Sequence, residues 1–170
     1  MRTLVVYESL WGNTELIARA VGARLAAAGA EVDVLDSDAA PQSTEGYELL
    51  VVGGPTHAFS MTRAATRADA VKSHGAPRQP ERGIREWLSQ LERPSAGIPA
   101  AAFDTRVDKP RMPGSAAKAA KHELRSLGFE TSLKQQTFRV QGYEGPLLDG
   151  ENERAAAWAD TLLEHVRASR

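Results

Sequence analysis

The chain has 170 residues, 42% of them apolar, and a formal net charge of −1, which suits one ordinary domain with a substantial core. No stretch approaches the roughly 20 apolar residues that a bilayer crossing needs, and "MRTLVVYES" carries too short an apolar run for a signal peptide, so no membrane contact and a cytoplasmic location are expected. Cysteine is absent, which excludes disulfides, iron–sulfur ligation and thiol nucleophiles and leaves redox chemistry to a bound organic cofactor.

The four histidines, His57, His74, His122 and His165, do not stand at metal-ligand spacing, so no metal centre is expected. Charge is uneven. Residues 60–140 hold 15 basic and 8 acidic side chains, whereas residues 1–59 hold 3 and 8. The basic middle lacks a nucleic-acid reading module or interleaved aromatics. It suits an anionic cofactor, substrate or protein partner, or a solvated surface of mixed charge.

In chain order the pattern alternates strand and helix. "RTLVVY" (2–7) predicts a strand. The next helix places Leu16, Ile17, Ala20, Val21, Leu25 and Ala28 on one apolar face and stops at Gly29. "EVDVLD" (31–36) alternates and predicts a more exposed strand. "YELLVVGG" (47–54) is a continuous apolar run, as in a central strand buried on both sides. A long segment from Pro55 to Gly83 contains a helical piece, "MTRAATRADAVKSHG", and a Pro-rich connector; part of it is expected to be mobile without ligand. "GIREWLSQL" (83–91) predicts a short helix, "IPAAAF" (98–103) a fourth strand, and "DTRVDKPRMPG" a polar loop. Residues 115–128 form a helix with a Ser cap and a Gly stop. Residues 131–140 are a fifth strand, broken near Gln135, and the last helix lines up Ala155, Trp158, Leu162 and Val166. Five strands separated by helices imply a parallel sheet with right-handed crossovers, and three polar loops, 8–14, 55–83 and 104–114, converge at the strands' carboxyl ends.

The first of these loops, Ser9–Leu10–Trp11–Gly12–Asn13–Thr14, opens a helix. A helix N-terminus offers unpaired N–H groups and the positive end of a dipole. Ser9, Asn13 and Thr14 add neutral donors, with Thr14 also a candidate cap, and Gly12 lets the backbone curl around an oxyanion. No P-loop lysine and no dinucleotide fingerprint are present. Neutral donors alone suit a terminal phosphate monoester, as in flavin mononucleotide; a plain capped turn is the alternative.

"YESLWGNTELIA" resembles the phosphate loop of the flavodoxin family, usually Ser/Thr-x-Thr-Gly-x-Thr, with Trp11 in place of a Thr. "VVGGPTHAF" resembles the family's second flavin loop, "AAFDTR" stands in the place of the third, and "GYEGPLLDGENERAAAWA" is similar to the end segment of bacterial flavodoxin-domain proteins. The resemblance implies an α/β fold over 1–170, a single flavodoxin-like domain with a doubly wound five-stranded parallel sheet of order 2-1-3-4-5 between helical layers, and FMN at the switch point. It carries phosphate binding to Ser9, Gly12, Asn13 and Thr14, with Leu10 and Trp11 of the same loop as further cofactor-binding residues. Ring contacts fall on Pro55, Thr56, His57 and Phe59 of the second loop and on Asp104, Thr105 and Arg106 of the third. Trp11 either covers the ribityl chain or packs on a neighbouring loop. Arg106 either lies near the flavin pyrimidine or pairs with Asp104 or Asp108. Arg63, Arg67, Lys109 and Arg111 extend a basic rim that suits an acidic redox partner protein, a reductase or an acceptor, or a nicotinamide-dinucleotide phosphate, or is merely solvated; the chain itself is expected to be monomeric. The implied function is electron transfer as a flavoprotein carrier; the alternatives are an NAD(P)H-dependent flavin reductase of quinones or similar acceptors, and a flavin-free regulatory module.

Overall fold

The computed structural model describes residues 1–109 and 112–170. Ten elements follow one another: β1 (Arg2–Tyr7), α1 (Asn13–Ala27), β2 (Glu31–Asp36), β3 (Leu49–Pro55), α2 (Ala64–His74), α3 (Ile84–Gln90), β4 (Ala100–Val107), α4 (Ala116–Leu127), β5 (Gln136–Val140) and α5 (Glu151–Ala168). All strand pairs are parallel, in the order β2-β1-β3-β4-β5. The chain thus turns to opposite sides of β1 after its first and second crossovers, and the strand ends leave a crevice where it does so.

Strand period sorts the core into two layers. Leu4, Val6, Leu50, Val52 and Ala102 face α3 and α4, where Ile84, Trp87, Leu88 and Leu124 meet them. Val5, Val51, Ala101 and Phe103 face α1 and α5, with Ile17, Val21, Leu25, Trp158 and Leu162. Burying one such side chain is worth about 1.5–3 kcal/mol. The second layer is centred on Phe103, whose ring meets Phe138 at 6.0 Å and Trp158 at 5.9 Å, both edge-on. Gly53 makes that centre possible, because a Cβ there would sit inside the Phe103 ring.

Several sequence readings change. Leu16 is 51% exposed, not part of the apolar stripe of α1. The fourth strand runs on through Asp104, Thr105, Arg106 and Val107, because these residues pair with β5 from Thr137 to Val140; the polar loop therefore begins at Asp108. The expected break near Gln135 marks the start of β5. Beyond Val140 the outer side of β5 is closed by the segment that follows it. Gln141 N–H donates to Pro146 O, and Leu148 N–H donates to Arg139 O. No helix among the described residues is long and apolar enough to cross a membrane.

Gly53→Ala forces a methyl group against Phe103 and is expected to lower stability by about 2–3 kcal/mol, read as a fall in the urea midpoint at unchanged slope.

Candidate functional site

At the carboxyl end of β1 the backbone turns through Gly12, whose φ of 99° is left-handed, into α1. Ser9 holds this turn. Its buried hydroxyl accepts from the N–H of Gly12 at 3.0 Å and of Glu15 at 3.3 Å, so Ser9 rather than Thr14 caps the helix. Thr14 instead shares a 2.7 Å hydroxyl bond with Thr105 across the switch point. The N–H groups of Asn13 and Thr14 have no protein acceptor among the described residues, as expected at a helix start. Asn13 donates its side-chain amide to Glu144 O at 3.0 Å, tying the loop after β5 to α1. Leu10 is buried with Ala70 and Ala76, and Trp11 packs on the same cluster, so α2 rests on the turn.

A cleft of about 310 Å³ opens here, within the usual range for small-molecule sites. Ser9, Leu10, Trp11, Asn13 and Thr14 line one end. Pro55, Thr56, His57, Thr105 and Arg106 follow, with Thr66, Asp69, His74, Lys109, Met112, Val140 and Tyr143 around them. Of the lining residues only Asp69 is acidic, so the end beside α1 is built of neutral donors under a positive helix end. That donor set fits a phosphate monoester. The Trp11 indole N–H is buried without a partner among the described residues, which is costly and marks the ring's present seat as one with a polar need unmet.

Ten of the thirteen candidate residues from the sequence reach the cleft. Gly12 shapes the turn without lining it. Asp104 is fully buried: one carboxylate oxygen accepts from Thr56 Oγ1 at 2.9 Å, Ser115 Oγ at 2.5 Å and Ala117 N–H at 3.1 Å, and so fastens the N-terminus of α4. Phe59 points to solvent. Arg106 pairs with neither Asp104 nor Asp108; its guanidinium donates to Met112 O at 2.8 Å and Gly114 O at 2.9 Å. Of the expected basic rim, Arg63 and Lys109 are exposed, and Arg111 lies outside the described residues.

Arg67 departs furthest. It is 1% exposed and donates to Glu86 at 2.8 Å and Thr62 Oγ1 at 2.9 Å. Thr62 in turn donates to Glu8 at 2.6 Å, and the other Glu8 oxygen accepts from Ile84 N–H at 2.8 Å. Burial raises the Glu8 carboxyl above the usual range. Burial would raise Glu86 too, but the Arg67 guanidinium outweighs it and holds that carboxyl low. This chain pins the long segment after β3 behind the turn at Ser9.

Residues not singled out for the site complete it. Tyr143 and His74 stack at 4.3 Å and 20°, and Trp11 lies 6.3 Å from Tyr143 and 6.1 Å from His57. These four rings come from four separate segments. Tyr143, in "QGYEGP", follows a strand's carboxyl end, which was the available signal.

The family model described as Flavodoxin matches residues 5–78, from β1 through α2. In fold the chain is similar to a flavodoxin from the domain Archaea, at 18% identity and TM-score 0.65 over 98% of this chain and 99% of that one. It is similar to oxidised Flavodoxin 1 from Bacillus cereus, at 17% identity and TM-score 0.69 over 97% and 99%. It also matches rubredoxin oxygen:oxidoreductase from Desulfovibrio gigas, at 17% identity and TM-score 0.68, with 98% of this chain on 36% of that one. No curated protein matches it in sequence.

Burial, and then the charge of His74, lower the His57 pKa from 6.5. A depressed folded pKa contributes stability that is complete above the unfolded value and is lost as pH falls through the folded one. The urea midpoint should therefore drop between about pH 7 and pH 5, and His57→Gln should flatten that drop; an equal slope in the variant would remove His57 as the cause.

Proposed function

We propose that the chain is a flavodoxin-type protein, a reading supported by the family-model match over residues 5–78, that binds FMN in the cleft and serves as an electron carrier between protein partners. The observation that carries this reading is the neutral, N–H-rich turn at Ser9–Thr14, open to a cleft whose only carboxylate among the described residues is Asp69 on its α2 wall. A doubly negative phosphate gains there from backbone donors and the helix dipole without a counter-cation. Ser9, Asn13 and Thr14 would hold the phosphate. Thr56, His57 and Thr105 would meet the ring, with Trp11 and Tyr143 as aromatic cover. Bound there, FMN would supply reversible uptake of one or two electrons.

The protein's own part is binding and electrostatics. His57, neutral near pH 7 because of its burial, adds no charge to the cleft. Arg106 and Lys109 bring positive charge to the β4 side, which favours a reduced, more negative cofactor. Asp104 fixes Thr56 from beneath. The added wall of α2, with Thr66, Asp69 and His74, favours one second reading, a reductase of small acceptors such as quinones. Bleaching of the bound flavin by NADPH alone would select that reading over the carrier.

Titration of flavin fluorescence tests the proposal. FMN should bind about 100-fold more tightly than riboflavin, and Thr14→Val should weaken FMN about tenfold while leaving riboflavin unchanged. Equal affinity for the two flavins, or for neither, would reject phosphate recognition by this turn.

A further inference from the structure

Four large apolar side chains are exposed among the described residues: Leu16, Phe59, Met112 and Tyr143. Three of them, Phe59, Met112 and Tyr143, belong to loops that leave the carboxyl ends of β3, β4 and β5. Phe59 is the most elaborately held. His57 and Ser60 exchange two backbone hydrogen bonds, of 2.9 and 3.1 Å, and leave Ala58 and Phe59 as a two-residue tip with φ of 47° and 70°. Such a tip ordinarily takes Asn and Gly. Here two residues with side chains hold a left-handed backbone, and the result is an aromatic ring turned 54% to solvent. Backbone strain kept at an exposed aromatic is a mark of recognition rather than of packing.

The tip is supported from both sides. Gly114, at φ 76°, lies so close that a Cβ would collide with Phe59 O. Arg106 holds the carbonyls of Met112 and Gly114, and Arg85 donates to Met61 O at 2.8 Å and to Ser60 Oγ at 3.3 Å. Both guanidiniums are thus spent on neutral acceptors. Arg63 and Lys109 add exposed charge, and none of the four cations forms an ion pair among the described residues. Asp108 is the one carboxylate carried by these two loops. Because Arg106, Lys109 and Met112 also line the cleft, whatever covers Phe59 lies over the cleft's mouth.

We infer that Phe59 and Met112, ringed by Arg63, Arg85, Arg106 and Lys109, form a docking platform for an acidic redox protein. The ring enters an apolar spot on that partner, and the cations meet its carboxylates and speed the encounter. The inference rests on the carrier reading for the partner's redox character, but the surface itself does not need the flavin.

A nitrogen-15 NMR titration with an acidic [2Fe–2S] ferredoxin tests it, with basic cytochrome c as the contrast. Ferredoxin should shift amides of residues 57–63, 106–109, 112 and 114, cytochrome c should not, and about 0.5 M salt should abolish the shifts. Phe59→Gly should weaken ferredoxin binding about tenfold while raising the urea midpoint, since it relieves the turn; lost folding cannot then explain lost binding. Absence of shifts, shifts elsewhere, equal response to cytochrome c, or an unaffected Phe59→Gly would each overturn the platform. Shifts of the same amides on concentrating the protein alone would assign the surface to a second copy and overturn it too. Ferredoxin shifts without FMN binding would reject the carrier reading alone; FMN binding without ferredoxin shifts would reject the platform alone.

Discussion

The Ser9 hydroxyl, accepting from the N–H groups of Gly12 and Glu15, is the contact on which the geometry of the cleft depends. It replaces with one oxygen the partners that a tight strand-to-helix turn would otherwise lack. With the turn fixed, Thr14 points across to Thr105, Asn13 reaches the loop after β5, and Leu10 faces α2. Each of these contacts joins the turn to a different element: β4, the loop after β5, and α2. The cleft is therefore assembled around one short stretch rather than carved into a finished scaffold.

Behind the turn, a second polar arrangement sets how far the long segment after β3 can move. Glu8, Thr62, Arg67 and Glu86 run in sequence from the end of β1 to α3. A lone buried carboxylate would be costly. Here Glu8 has an acceptor role on both oxygens, and Gly83 leaves room for three polar atoms to close around its α-carbon. The chemistry in front of the turn is neutral, while the charge behind it is paired and out of reach. That separation keeps an internal carboxylate from competing with a bound phosphate.

Most of the fold was legible from period and punctuation. β1 and β2 fall on the residues that alternation and turn signals indicate, and Ser115 and Gly128 bound α4 as cap and stop. Failures came where a distant partner decides. Asp104–Val107 read as loop because they are polar, yet pairing with β5 makes them strand. Arg67 read as solvated rim because nothing local offers it an anion; Glu86 lies 19 positions away. Phe59 read as a ring-stacking candidate because its loop is the right one, but the left-handed tip that turns it outward has no Asn or Gly to announce it. Of the candidate site, the turn at 9–14 was readable because its function is carried by local backbone. The Tyr143–His74 stack joins residues nearly seventy positions apart, and no pattern within either segment contains it.

The two margins of the sheet are finished differently. β5 is sealed by its own chain, which doubles back through Pro146 and Leu148 and occupies the groups that a further strand would need. β2 is left as the open margin, and its six residues include Glu31, Asp33 and Asp36. These carboxylates are engaged by Arg2 and Arg78, and charged side chains along an edge strand discourage its pairing with a strand of another molecule. Growth of the sheet by adding copies side by side is therefore opposed by covalent continuity at one end and by a charged, ion-paired edge at the other.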